Sequence, residues 1–136
     1  MSIQVSDRPA VPESDVFDTN CPSRGVLEHV TSRWGVLVLA ALSEGPMRFS
    51  ELHRRIGGVS QKMLAQTLRT LAADGFLHRE VTPATPPQVS YRLTELGREV
   101  TRHVVGLVGW IERKVPEILE ARSTYETSIS RDSATT

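Results

Sequence analysis

The sequence predicts a mainly α-helical fold that contains one small β-hairpin. Apolar residues recur at helical spacing through most of residues 22–73, and the pattern changes to the alternation of strands between residues 77 and 93. The chain has 136 residues, which suits a single domain. No apolar run approaches the ~20 residues that a membrane span needs, so we expect no membrane partner.

The two ends of the chain are predicted to be tails around one domain. Residues 1–20 contain two prolines and four acidic residues against one arginine, which predicts a flexible acidic tail. Residues 121–136 are rich in Ser and Thr, which predicts a second flexible tail, and residues 21–120 form the domain. The start of the chain lacks the basic and apolar stretches of a signal peptide, so we expect a cytoplasmic protein.

Two helices open the domain. Pro22 suits the first turn of a helix that runs to about Thr31 and is expected to bury three apolar side chains, Val26, Leu27 and Val30. The segment from Trp34 to Ser43 is apolar on almost every side, which is typical of a buried central helix. The Gly45-Pro46 pair ends it.

Two shorter helices follow, joined by a tight turn. Ser50 is a suitable N-cap for a third helix, which Gly57 and Gly58 end. Ser60 is expected to cap a fourth helix over residues 61–73, which ends at the Asp74-Gly75 pair.

A β-hairpin and a long helix complete the domain. Residues 77–81 and 88–93 alternate as strands do, and they flank the loop TPATPP, whose prolines cannot continue a ladder. Thr94 caps a long final helix, and Pro116 is expected to kink or end it near Val115. Its apolar positions step by three or four residues, close to a heptad seam: Val100, Val104, Leu107, Ile111, Val115 and Ile118.

Two short helices joined by a tight turn and followed directly by a hairpin describe a winged helix-turn-helix. Such a fold suits double-stranded DNA, because one helix fits the major groove and the hairpin beside it reaches the neighbouring backbone. The net charge of the chain is zero, but residues 48–79 hold six basic residues against two acidic ones. This charge alone is equally compatible with an ordinary solvated surface.

The fourth helix carries the candidate DNA-reading residues. Leu64, Leu68 and Leu71 with Met63 are expected to face inward, and no acid occurs on the opposite side before Asp74. Predicted DNA contacts at this helix are Ser60, Gln61, Lys62, Gln66 and Arg69. Further contacts to the backbone are expected from Arg48, Arg54 and Arg55 beside the helix and from Arg79 and Arg92 on the hairpin. The alternative interpretation is a polar helix face that meets only water.

Cys21 is a candidate redox site. It precedes Pro22 at the start of the first helix with Arg24 close by, and a helix N-terminus and a cation both favour the reactive thiolate. The alternative is a buried cysteine that acts as a small apolar side chain. As the single cysteine of the chain, it can form a disulfide only with another molecule.

The sequence gives little support to enzymatic function. The four histidines lie on different predicted elements, and no motif of a metal, nucleophile or phosphate site is present, so we expect neither a metal nor another cofactor. The stronger alternative to DNA binding is a winged-helix domain that binds another protein.

The run RFSELHRRIGGVSQKMLAQTLRTLAADGFLHREV, followed by the pattern TPxxPPxVxYxLTxLG, resembles the HxlR family of bacterial winged-helix transcription regulators. The resemblance covers about residues 21–100. It implies a homodimeric DNA-binding regulator, related to the MarR group, that dimerises through its first and last helices and reads DNA with the helix from Ser60. On an inverted-repeat operator, the two half-sites are expected about one or two helical turns apart.

The resemblance also bears on the signal and on the wing. It implies that a cysteine at the position of Cys21 can sense a small electrophile, and a small apolar ligand is a second possible effector. Two departures weaken the expected contact between the wing tip and phosphate: Gln88 stands where relatives often have a basic residue, and Thr82 where they often have an aromatic one.

Overall fold

The computed structural model describes residues 14–135, so most of the predicted acidic tail, residues 1–13, lies outside the described part. The described residues form five helices and three strands. The elements, in chain order, are α1 (Pro22–Thr31), α2 (Arg33–Leu42), β1 (Met47–Arg48), α3 (Phe49–Arg55), α4 (Gln61–Ala73), β2 (Leu77–Thr82), β3 (Gln88–Leu93) and α5 (Glu95–Thr135). The predicted fold class, mainly helical with a small sheet in a winged helix-turn-helix, is confirmed.

The sheet has three antiparallel strands in the order β1-β3-β2. The predicted hairpin is present, with Leu77 opposite Leu93 and Thr82 opposite Gln88. The strand β1 pairs Met47 with Tyr91 on the other side of β3, and no pattern in the sequence predicts this strand. A strand of two residues is too short to show an alternating pattern, so only the tertiary pairing defines it.

The apolar core surrounds α2, as expected for a central helix. Fully buried side chains come from α2, α3 and α4: Val38, Leu39, Leu52, Leu64, Leu68 and Leu71. The prediction for α1 is only partly right, because Val30 is buried whereas Val26 and Leu27 are 38% and 44% exposed. The first two of these apolar positions of α1 therefore have no complete cover within one chain.

Residues next to each helix end determine where the short helices of the helix-turn-helix begin and stop. Gly58 and Gly75, which follow α3 and α4, have φ of +88° and +86°, a conformation that favours glycine. The N-cap of α3 is Arg48 rather than the predicted Ser50, because its backbone N–H donates to the Glu51 carboxylate at 2.7 Å and the helix starts at Phe49.

The helix α5 is longer than predicted. It runs through 41 residues, about 61 Å at 1.5 Å per residue, and it does not end at Val115. Pro116 removes one backbone donor, but it lies on an exposed part of the helix, where water can satisfy the carbonyl left free. Residues 121–135 are therefore helical where a flexible tail was expected, and the domain limits stay a prediction.

Much of the apolar seam of α5 faces outward. Val104 is buried against the core, but Leu107 is 53% exposed, and Ile111 and Val115 are exposed as well. A seam of this kind is typical of a helix that pairs with another helix. No helix in the described part of the chain has the length and apolar character required to cross a membrane.

Candidate DNA-binding surface

The turn between α3 and α4 holds the candidate reading helix in place. Ile56 and Val59 are buried on either side of the glycine turn and anchor it to the core. The Ser60 hydroxyl accepts a hydrogen bond from the backbone N–H of Met63 at 3.0 Å. Ser60 is thus the N-cap of α4, as predicted, and it fixes the geometry of the first helical turn.

One side of α4 is polar, exposed and free of acidic residues. The predicted contact residues Gln61, Lys62, Gln66 and Arg69 are all exposed there. The first acidic residue is Asp74, which caps the far end of the helix. This face can donate hydrogen bonds to base edges and phosphates without repelling them.

Met63 does not face inward as predicted. Its side chain is 42% exposed, whereas Leu64, Leu68 and Leu71 are almost completely buried. In an α-helix each residue turns by about 100°, so Met63 lies well to one side of the buried stripe that starts at Leu64. Met63 is not three or four residues away from Leu68 or Leu71, as a residue of the same buried stripe would be. The sequence alone could therefore have placed Met63 outside this stripe.

The three arginines beside α4 differ in their partners. Arg55 binds Glu44 at 2.9 Å, and this hydrogen bond holds the pKa of the Glu44 carboxyl below its usual value. Arg48 lies 3.6 Å from Glu51. Arg54 is exposed and forms no ion pair within the described residues. Arg54 is therefore the most available of the three for a phosphate.

The two hairpin arginines lie on opposite faces of the sheet. Arg79 is directly opposite Tyr91, whose side chain is buried, so Arg79 shares the face that looks toward the helices. Arg79 and Arg69 line one open cavity between α4 and the sheet. Arg92 is opposite His78 and belongs to the other face. The structure thus brings Arg79, but not Arg92, to the predicted reading helix.

Cys21 is the N-cap residue of α1 and is partly covered. The backbone N–H of Asp15 donates to its sulfur at 3.2 Å, and the Ser23 hydroxyl lies 3.1 Å away. These hydrogen bonds lower the pKa of the Cys21 thiol. The expected help from Arg24 is not part of this arrangement, because Arg24 binds Glu28 at 2.9 Å.

The sequence missed one link between α1 and α4. His29 Nδ1 lies 2.6 Å from the Asp74 carboxylate, which joins α1 to the C-cap residue of the reading helix. The two residues are 45 positions apart, so no sequence spacing points to their contact. Within the described part of the chain, no three His, Cys, Asp or Glu side chains gather as a metal site would require.

Comparison with known proteins agrees with this geometry. The model of the HxlR-like helix-turn-helix family matches residues 29–118. The chain belongs to the HxlR family. It is a DNA-binding transcriptional regulator of the helix-turn-helix type, and its relatives are regulators rather than enzymes.

Individual relatives support this assignment over most of the chain. An uncharacterized helix-turn-helix transcriptional regulator of Escherichia coli K12, YtfH, is 56% identical over 88% of this chain and 94% of its own length. The solved structure of the putative regulator ytfH from Salmonella typhimurium has a TM-score of 0.79 and 54% identity, over 82% of this chain and 99% of the other.

A solved redox regulator is also similar. HypR in its oxidized form has a TM-score of 0.63 and 36% identity, over 68% of this chain and 96% of its own. The likeness of this chain to HypR extends to the winged-helix fold.

Proposed function

We propose that this protein binds a specific inverted-repeat operator as a homodimer and regulates transcription there. The observation that carries the proposal is the acid-free polar face of α4, which the Ser60 cap fixes beside the sheet. A cytoplasmic location goes with this proposal.

Different residues are assigned to base and phosphate contacts. Gln66 and Arg69, together with Lys62, read base edges in the major groove, since amide and guanidinium groups pair with adenine and guanine. Ser60 and Gln61, at the start of α4, contact a phosphate. The other phosphate contacts come from Arg54 and Arg79, with weaker ones from Arg48, Arg55 and Arg92.

Selection of operators from random DNA tests this assignment. We expect an enriched inverted repeat, and Gln66→Ala or Arg69→Ala should relax its sequence preference by about 1–3 kcal/mol per lost base contact. Arg54→Ala should instead weaken all sequences alike. Arg102→Ala is the matched control, because Arg102 is exposed on α5, outside α4 and the wing. An unchanged preference in both Gln66→Ala and Arg69→Ala contradicts the assignment.

Exposed apolar side chains on α5 and α1 support the homodimer. Leu107, Ile111 and Val115 form an exposed stripe on α5, and Val26 and Leu27 add exposed apolar surface on α1. Two-fold pairing of identical chains is the commonest way to cover such surface. Sedimentation at micromolar concentration should give a dimer, and Leu107→Asp should give a monomer that keeps its helical content. A monomeric unmodified protein contradicts the proposal.

We also assign Cys21 a redox-sensing role. Hydrogen bonds from Asp15 and Ser23 favour its thiolate, and the similar regulator HypR is named for redox regulation. With diamide, two Cys21 thiols from two chains lose their protons and two electrons to form a disulfide, and diamide is reduced to its hydrazine. Diamide should change operator affinity in the unmodified protein and not in Cys21→Ser. Equal responses in both contradict this role.

The alternative function is a winged-helix module that binds another protein without reading DNA. It predicts no sequence preference, and any residual DNA binding is purely electrostatic and is lost as the salt concentration rises. The acid-free face of α4 and the family of DNA-binding regulators favour the operator proposal over this alternative.

A further inference from the structure

Met63 has an exposed side chain on α4 but no part in the base and phosphate contacts proposed for this helix. In α4, which the structure describes in full, Met63 is the one large apolar side chain that is exposed. It lies in the first turn, directly after Lys62 in the sequence, in a helix that carries no acidic residue. Single exposed apolar residues are common on protein surfaces, so exposure alone assigns no role to Met63 and its position in the reading helix is what matters.

The backbone position of Met63 is fixed. Its N–H donates to the Ser60 hydroxyl at 3.0 Å, and its carbonyl accepts a hydrogen bond from the Thr67 hydroxyl at 2.8 Å. Both hydrogen bonds hold the first turn of α4, so the Cα atom of Met63 has a defined position. The first turn of a reading helix is the part that contacts base edges in the major groove.

The chemistry of this position selects one base. The Thr67 hydroxyl donates its hydrogen to the Met63 carbonyl and so is not a free donor, and the exposed group at this position is the Met63 thioether side chain. The 5-methyl group of thymine is the apolar feature of the major-groove edge. A methionine thioether is flexible and polarizable and adapts well to a methyl group.

We propose that Met63 is a specificity-determining residue that contacts the 5-methyl group of one thymine in each operator half-site. This inference rests on the proposed function, since it requires that α4 enters the major groove. The exposed seams of α1 and α5 lie on elements other than α4, so homodimer pairing through them does not use the Met63 side chain.

Deoxyuridine substitution tests the contact, because it removes one methyl group and preserves base pairing. On the selected operator, each thymine of one half-site is replaced in turn, and affinity is measured by fluorescence anisotropy at fixed salt. In the unmodified protein, one position should weaken binding about fourfold, equivalent to the ~0.8 kcal/mol of a buried methylene-sized group. Met63→Ala should lose a similar factor on the thymine operator, and deoxyuridine at that position should then cost nothing more.

Two variants serve as controls. Met63→Leu keeps an apolar contact and should keep the deoxyuridine effect, which separates loss of contact from damage to the fold. Gln66→Ala should change preference at a different base and leave the deoxyuridine effect in place. Circular dichroism checks that each variant retains the folded helix content.

The possible failures are distinguishable. Specific binding in which no thymine methyl matters, or in which the methyl effect persists in Met63→Ala, contradicts the inference and leaves the proposed function intact. A selected operator whose half-sites contain no thymine at any position that affects affinity would likewise contradict the inference and leave the proposed function intact. Equal affinity for selected and random DNA contradicts the proposed function, and the inference falls with it.

Discussion

A methyl group added at Gly97 should disturb the joint between the sheet and α5. A Cβ built on Gly97 would lie 2.0 Å from the Phe76 carbonyl oxygen and 3.0 Å from its carbon, where real Cβ contacts are essentially never shorter than 3.0 Å. The same carbonyl accepts the backbone N–H of Thr94 at 3.0 Å. Gly97→Ala therefore requires that α5 and the start of β2 move apart by at least 1.0 Å.

Three contributions set the expected size of this effect. Forcing extra volume into a packed site costs about 1–3 kcal/mol. Loss of the hydrogen bond from Thr94 to Phe76 adds about 1 kcal/mol. Replacing a helical glycine by alanine returns about 0.5–1 kcal/mol. The free energy of unfolding of Gly97→Ala should thus fall by about 1–3 kcal/mol.

Urea unfolding followed by circular dichroism measures this change, at one fixed protein concentration for all variants, because a dimer is stabilised by mass action. The matched control is Gly106→Ala in the same helix, where an added Cβ meets no atom within 4 Å. That variant should gain up to about 1 kcal/mol from helix propensity alone. A Gly97→Ala protein that is as stable as Gly106→Ala would refute the packing proposed at this joint.

Three further predictions concern the cap, the thiol and the ion pair. Ser60→Ala should lower the free energy of unfolding by about 1 kcal/mol in urea titration, and Ser60→Asp should keep the cap; equal stability of the two would count against the cap. The alkylation rate of Cys21 should rise with pH, and the midpoint of this rise should lie at a lower pH in the folded protein than in urea, because hydrogen bonds in the fold lower the pKa of the thiol. Ser23→Ala should move the midpoint to higher pH. An unchanged midpoint would argue against a contribution of the Ser23 hydrogen bond. Glu44→Gln should release Arg55 and steepen the salt dependence of DNA binding by about one phosphate contact in an anisotropy series, whereas an unchanged slope would mean that Arg55 stays away from DNA.

Much of the fold follows from chemistry that is local in sequence. The sequence predicts Ser60 as a cap because a hydroxyl before a helix meets free backbone donors a few residues later. Gly58 and Gly75 were recognised as helix ends because glycine tolerates the positive φ that such ends require. These features depend only on residues close together in the chain, so they can be predicted without knowledge of the tertiary structure.

The features that were missed depend on contacts between distant segments. The ion pair of Arg55 with Glu44 and the link from His29 to Asp74 join residues that no spacing rule connects. The seam of α5 was recognised as apolar, but its pattern does not say whether the same chain or a second one covers it. Pro116 shows a related limit, because an interior proline weakens a helix without always ending it, and α5 continues through Pro116.

The most direct test of the central claim is the affinity of the purified protein for its selected operator and for random DNA of equal length. Fluorescence anisotropy at about 50 and 200 mM salt separates sequence-specific from purely electrostatic binding. We predict that the operator is bound at least about 10³-fold more tightly than random DNA at the higher salt. Equal affinity for both DNAs at both salt concentrations would contradict the claim that α4 reads a DNA sequence.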